Sequence, residues 1–213
     1  MESFTNQQGV VIVDAIINVI QENTTYLSEI DGAIGDGDHG INMNKAVTQA
    51  KEHLAGQAAD LATGLRVVSD VMLDDIGGSM GPLYGTFFRQ MFRVIRNKER
   101  IDAEVFNDML SRALESIKDI GSAKVGDKTL LDTLEPAVIA FGTQRKAGKD
   151  FLTALTAMKV AAEKGKDATV DMVAKVGRSS RLGERSRGVL DAGATSCWLI
   201  LGAMADSIIA LEQ

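Results

Sequence analysis

Sulfur offers this chain almost no cross-links. Cys197 is the only cysteine in 213 residues, so neither an intrachain disulfide nor a cysteine zinc site is available. It lies in the apolar run Cys197-Trp198-Leu199-Ile200-Leu201, which predicts a buried, inert thiol. Pro82 and Pro136 are the only prolines. With many Ala, Leu and Met, this shortage of breakers favours long helices over a many-stranded sheet. Basic clusters are scarce too, and the net charge of −6 argues against a nucleic-acid partner, whose backbone needs grouped Lys and Arg. A nucleotide is not excluded, because bound cations offset local negative charge. No basic leader accompanies Glu2 ahead of the first apolar run, so no secretory signal is expected. The longest uncharged apolar stretch near the end stops at Asp206, which reads as too short for a membrane span. These absences point to a cytoplasmic protein.

What is present is helical periodicity. Ile12, Ile16, Val19 and Ile20 form one apolar stripe; the local Val10-Val11-Ile12-Val13 would pass for a strand, but the longer window favours a helix. Similar stripes run through Leu61, Leu65, Val68 and Met72, then Leu83, Phe87, Met91 and Ile95, then Phe106, Met109, Ala113 and Ile117. Two more follow, on Leu152, Leu155, Met158 and Ala162 and on Trp198, Leu201, Ala205 and Ile208. Pro82 after Gly81 suits a first helical turn, whereas Pro136 is expected to kink or end its helix. Residues 31–40, 77–81, 121–129 and 177–193 differ in character, being rich in Gly, Asp, Ser and Arg. Amphipathic helices joined by such loops suggest one site assembled at helix ends. No linker or repeat divides residues 1–213, so a single domain is expected.

The most informative loop is Asp31-Gly-Ala-Ile-Gly35-Asp36-Gly37-Asp38-His39-Gly40-Ile41-Asn42. Two carboxylates about 4 Å apart repel by roughly 4 kcal/mol at a mid-range dielectric, so such crowding persists more easily around a cation. Oxygen ligands without cysteine point to Mg²⁺ or Ca²⁺. An EF-hand fails, since counting from Asp36 puts Ile41 where glycine is needed and Val47 where glutamate is needed. Gly35-x-Gly37-x-x-Gly40 has the spacing of a dinucleotide fingerprint, but Asp36 and Asp38 would repel a pyrophosphate and no clear strand precedes it. Gly121-x-x-x-x-Gly126-Asp127-Lys128-Thr129 is one residue too long for a P-loop. Turn formation and helix capping would explain one or two of the aspartates, less readily three beside His39 and Asn42.

With these motifs in hand, the chain resembles the nucleotide-binding L subunit of dihydroxyacetone kinases, of the phosphoenolpyruvate-dependent bacterial type. The resemblance rests on Ile34-Gly-Asp-Gly-Asp-His-Gly-Ile-Asn-Met-Asn44 and on Gly77-Gly-Ser-Met-Gly-Pro-Leu-Tyr-Gly-Thr86. It continues through Gly126-Asp-Lys-Thr-Leu-Leu-Asp132, Gly183-Glu-Arg-Ser186 and Asp191-Ala-Gly-Ala-Thr-Ser196, in the right order. It implies an all-α fold, an antiparallel barrel of about eight helices with ADP or ATP held by loops at one end. It also implies that Asp31, Asp36 and Asp38 bind two Mg²⁺ ions bridging the nucleotide phosphates. His39, Gly40, Ile41 and Asn42 would continue the phosphate site, with Ser79 and Met80. Gly121 and Leu130 would line the purine pocket, and Arg178 with Asp191, Ala192 and Gly193 would close the remaining side.

Arg178 is the residue expected to act in catalysis through phosphate contact, while Arg181 and Arg187 read as solvated. His39 is expected to be a phosphate-side donor, its charged form favoured by the neighbouring aspartates. His53, among Ala and Lys, reads as a surface residue. The resemblance further implies that dihydroxyacetone is held on a separate K subunit and that a phosphotransferase M subunit recharges ADP; a homodimer is compatible with it. Met80, Arg181 and Ala192 depart from the usual family residues. A nucleotide-loaded regulatory module and a diverged kinase paralogue with another substrate, including the related domain of fatty-acid kinases, are the alternatives.

Overall fold

The computed structural model describes residues 3–211; Glu2, and with it the reading of the leader, lies outside them. The all-α expectation holds. Nine α-helices are present among the described residues: α1 Val10–Glu22, α2 Thr24–Ile34, α3 His39–Leu54, α4 Leu61–Asp75, α5 Met80–Ile95, α6 Ala103–Ile120, α7 Leu131–Lys146, α8 Phe151–Ala168 and α9 Ala192–Leu211. Two short 3-10 segments, Thr169–Asp171 and Ser179–Ser186, precede α9. The only sheet among the described residues is a pair of three-residue strands, β1 Ser3–Thr5 and β2 Arg100–Asp102. They run antiparallel with Phe4 opposite Ile101, and both side chains are buried.

The apolar stripes face one continuous core, except that Leu152, expected in the α8 stripe, is exposed. Ile12, Ile16 and Ile20 of α1 are buried, as are Leu65, Val68 and Met72 of α4 and Phe106, Met109 and Ile117 of α6. Asp60, Asp102 and Asp150 cap α4, α6 and α8, each accepting the amide three residues on at 2.7–2.8 Å. Successive helices pack from α2 onward, and α9 returns against α1, α2, α7 and α8. The ends of that circuit bring α2, α3, α5, α7 and α9 to the loops expected to carry the site.

Three sequence expectations need correction. First, residues 31–34, expected in a loop, form the last turn of α2, whose buried residues Leu27, Ile30 and Ile34 make too short a stripe to register. Second, α9 is long and apolar enough to cross a bilayer, so the apolar stretch is not too short by length. More than half of that stretch is buried against neighbouring helices, and core packing accounts for its composition. Third, Pro136 neither ends nor breaks α7, which continues to Lys146. Proline denies the Asp132 carbonyl its helical amide, and that carbonyl faces α8 at Gly165, where an added Cβ would come within 2.1 Å of it. A glycine at this crossing lets α7 and α8 approach.

Gly165→Ala should therefore destabilise the protein by about 1–3 kcal/mol through overpacking. Urea unfolding followed by far-ultraviolet circular dichroism checks this; an unchanged midpoint would show that α7 and α8 separate at no cost.

Candidate functional site

The acidic turn joins two helices in four residues. Asp31 lies in the last turn of α2, Asp36 and Asp38 in the connection, and His39 opens α3. The connection is this tight because Gly37 takes φ 76° and Gly40 has no side chain. A Cβ on Gly40 would fall 2.0 Å from the Thr24 carbonyl oxygen. One carboxylate oxygen each from Asp31, Asp36 and Asp38 lies within 4.8 Å of the others. The His39 amide donates to Asp31 Oδ2 at 3.3 Å, and the Arg178 guanidinium forms an ion pair with Asp36. One guanidinium against three carboxylates leaves the turn negative. A donor set of three carboxylates, with a cationic side chain already against one of them, suits a hard divalent cation.

The turn opens into a cavity of about 630 Å³. Asp31, Asp36, Asp38, His39 and Asn42 line it, together with Ser79 and Met80 from the second loop. Gly121 and Leu130 line it from the third loop, and Arg178, Asp191, Ala192 and Gly193 from the fourth. Ile34, Leu83, Ile117 and Leu131 give it apolar wall. Gly40 and Ile41 do not line it: Gly40 is buried beneath α2, and Ile41 is 61% exposed. Helical phase is the reason, since His39 and Asn42, three apart, share a face that the two residues between them do not.

His39 lines the cavity, but its charge differs from expectation. Burial pulls its pKa down to about 4 despite the raising effect of Asp31, so the ring is neutral. Its Nε2 lies 2.9 Å from Ser196 Oγ. Ser196 Oγ is 2.6 Å from the Tyr84 hydroxyl, which donates to the Gly193 carbonyl at 3.0 Å. This chain links α3, α5 and α9 across the cavity wall. Ser196 and Tyr84 fall within the sequence motifs of the family resemblance, but nothing in their spacing assigns them to one network.

The third and fourth loops are shaped by two carboxylates, Asp132 buried and Asp191 half-buried at the cavity wall. Asp132 accepts the Gly126 amide on Oδ1 at 2.6 Å and the Thr129 amide on Oδ2 at 2.7 Å. Asp191 accepts the Ala194 amide at 2.7 Å and so caps α9. Burial raises the Asp191 pKa to about 7; the Asp132 and Asp31 carboxylates push the same way, while the Ala194 amide and Lys128 oppose it.

A family model for the DAK2 domain matches residues 33–206, and the chain belongs to that family. Within it, the chain is 39% identical over 186 residues to PEP-dependent dihydroxyacetone kinase 1, ADP-binding subunit DhaL, of Listeria innocua, covering 87% of this chain and 88% of that one. It is 32% identical to the corresponding DhaL subunit of Escherichia coli K12, covering 88% and 90% respectively. Among solved structures it is similar to the dihydroxyacetone kinase from C. freundii in complex with AMP-PNP and Mg2+, with a TM-score of 0.66 and 26% identity. That match covers 92% of this chain and 33% of the longer one.

The raised Asp191 pKa has a consequence for stability. Because the folded state holds this proton up to about pH 7, the stabilisation is complete below the ordinary carboxyl value near 4. It is lost as pH rises from about 4 to 7, by up to about 4 kcal/mol. In urea titrations without metal or nucleotide, Asp191→Asn should flatten this slope; an unchanged slope would assign it to other groups.

Proposed function

We propose that this chain is the ADP/ATP-binding subunit of a phosphoenolpyruvate-dependent dihydroxyacetone kinase. In this reading residues 1–213 form one nucleotide-binding domain that passes phosphate from bound ATP to dihydroxyacetone held on a separate K subunit. A phosphotransferase M subunit then recharges the ADP, and the assembly acts in the cytoplasm. The observation that carries the reading is the three-carboxylate turn opening into a cavity with an apolar wall. Support comes from near-full-length relatives whose names describe ADP-binding subunits of this kinase.

Asp31, Asp36 and Asp38 would hold two Mg²⁺ ions. Bound there, the ions neutralise phosphate charge that the acidic turn would otherwise repel. Phosphoryl transfer otherwise needs mainly positioning and fixed donors. Ser79 presents a hydroxyl and α5 its N-terminal amides at the second loop, where an anion is favoured by the helix end. Asn42 offers its amide group from the cavity face of α3. Ile117, Leu83, Leu130 and Gly121 form a surface on which a purine can lie. Asp191 fixes the start of α9, so that Ala192 and Gly193 keep their place at the wall. Arg178, facing the carboxylates from the fourth loop, supplies the guanidinium for charge developing on the transferred group.

Two measurements test this reading. Calorimetry should find Mg·ADP binding to the native protein and at least a hundredfold weaker binding to Asp36→Ala or Asp38→Ala, with helicity retained. Native affinity in either variant would remove the metal site from the proposal. In a triose phosphate assay the ATP-loaded protein should form product only when a K subunit is added. Sustained phosphorylation by this chain alone would place the triose site here instead.

A further inference from the structure

Lys128 stands in the third loop with φ 63°, the only non-glycine residue in the left-handed region among those described. Asp132 holds the backbone on either side of it by accepting the Gly126 and Thr129 amides. The side chain is 1% exposed. Its ammonium donates to three backbone carbonyls: Met172 at 3.3 Å, Ser186 at 2.6 Å and Val189 at 2.6 Å. An ammonium has three N–H donors, and all three are engaged on one segment of chain. No carboxylate among the described residues forms an ion pair with it; the Asp191 charge favours it from a distance, the three carbonyls hold it directly, and leaving any of those bonds unmade would be costly.

The position of the three acceptors matters more than their number. Met172 precedes the excursion that carries Gly177, Arg178 and the 3-10 segment Ser179–Ser186, while Ser186 ends it and Val189 follows it. One ammonium therefore draws together the two strands of chain at the throat of that excursion. Neighbouring contacts act in the same sense. Ser186 Oγ accepts the Ala174 amide at 2.9 Å, the Lys175 amide donates to the Asp127 carbonyl at 3.1 Å, and Lys175 pairs with Asp127 at 3.2 Å. Beyond the throat the side chain of Arg178 is 64% exposed and pairs with Asp36, and among the described residues no other side-chain hydrogen bond fixes it.

We infer that Lys128 is a positioning residue: it closes the throat of the 172–189 excursion and thereby sets Arg178 over the carboxylate turn. The P-loop spacing thus misdescribes this lysine, which is spent on carbonyls of its own chain. The bearing of the clamp on nucleotide rests on the function proposed above; the clamp itself does not.

Trypsin digestion of the ligand-free protein reads the clamp directly, since Arg178, Arg181 and Arg185 all lie beyond the throat. Cleavage of a folded segment follows the population in which it opens. Lys128→Met should be cut at these three sites at least tenfold faster, with cleavage elsewhere, residue 128 aside, and circular dichroism unchanged. Mg·ADP affinity then tests action through Arg178: Lys128→Met should weaken it about tenfold in the native background and less than twofold in an Arg178→Ala background. Unchanged digestion, equal losses in both backgrounds, or global unfolding of both Lys128→Met and Lys128→Gln would each overturn the inference. If the native protein binds no Mg·ADP, the proposed function fails while digestion still decides the clamp.

Discussion

Repulsion between like charges at short range is the constraint on which the site end of this molecule depends. Three carboxylates within 4.8 Å of one another would spread apart on a flexible chain. Here the backbone denies them the room. The α2–α3 connection is four residues long, Gly37 is left-handed, and Gly40 lies against the Thr24 carbonyl oxygen. The His39 amide and the Arg178 guanidinium offset part of the charge. The remainder faces the cavity, which is why the site calls for cations and, beyond them, for anions that the cations can bridge.

Burial divides the aspartates of this region into two working groups. Asp36 and Asp38 are exposed and their oxygens are available to ligands. Asp132 is fully buried with both oxygens committed to loop amides, and Asp191 caps α9 from the cavity wall. The first group opens to the cavity; the second holds the loops that surround it. Lys128 complements the second group by supplying donors to carbonyls where the aspartates supply acceptors to amides. Loop geometry here is therefore set by buried polar contacts, and the helical core beneath it by apolar area.

Much of this was legible in the residues, for reasons that also mark the limits. Helices with long stripes, such as α6 with Phe106, Met109, Ala113 and Ile117, declare themselves by period. The α2 stripe of Leu27, Ile30 and Ile34 is short and runs into the acidic motif, so its last turn passes for loop. β1 and β2 have three residues each, too few for alternation to be seen, and they pair across nearly half the chain. The carboxylate cluster was readable because its members are neighbours in sequence. The His39–Ser196–Tyr84 chain was not, because its members are 157 and 112 residues apart. The neutral state of His39 is hidden for a related reason: adjacent aspartates are visible in sequence, whereas the burial that outweighs them is not. Pro136 reads as a breaker until Gly165 is seen beside the carbonyl it frees.

The return of α9 onto α1 and α2 imposes an order of events on biosynthesis. The carboxylate turn leaves the ribosome about 140 residues before Arg178 and earlier still before the helix that walls its cavity. At roughly 5–20 residues per second, that interval is on the order of ten seconds. During it, the nascent chain carries an unopposed cluster of negative charge and an α1 whose apolar face has no α9 to cover it. Vectorial folding cannot complete this site from the N-terminal side; its assembly awaits the last helix.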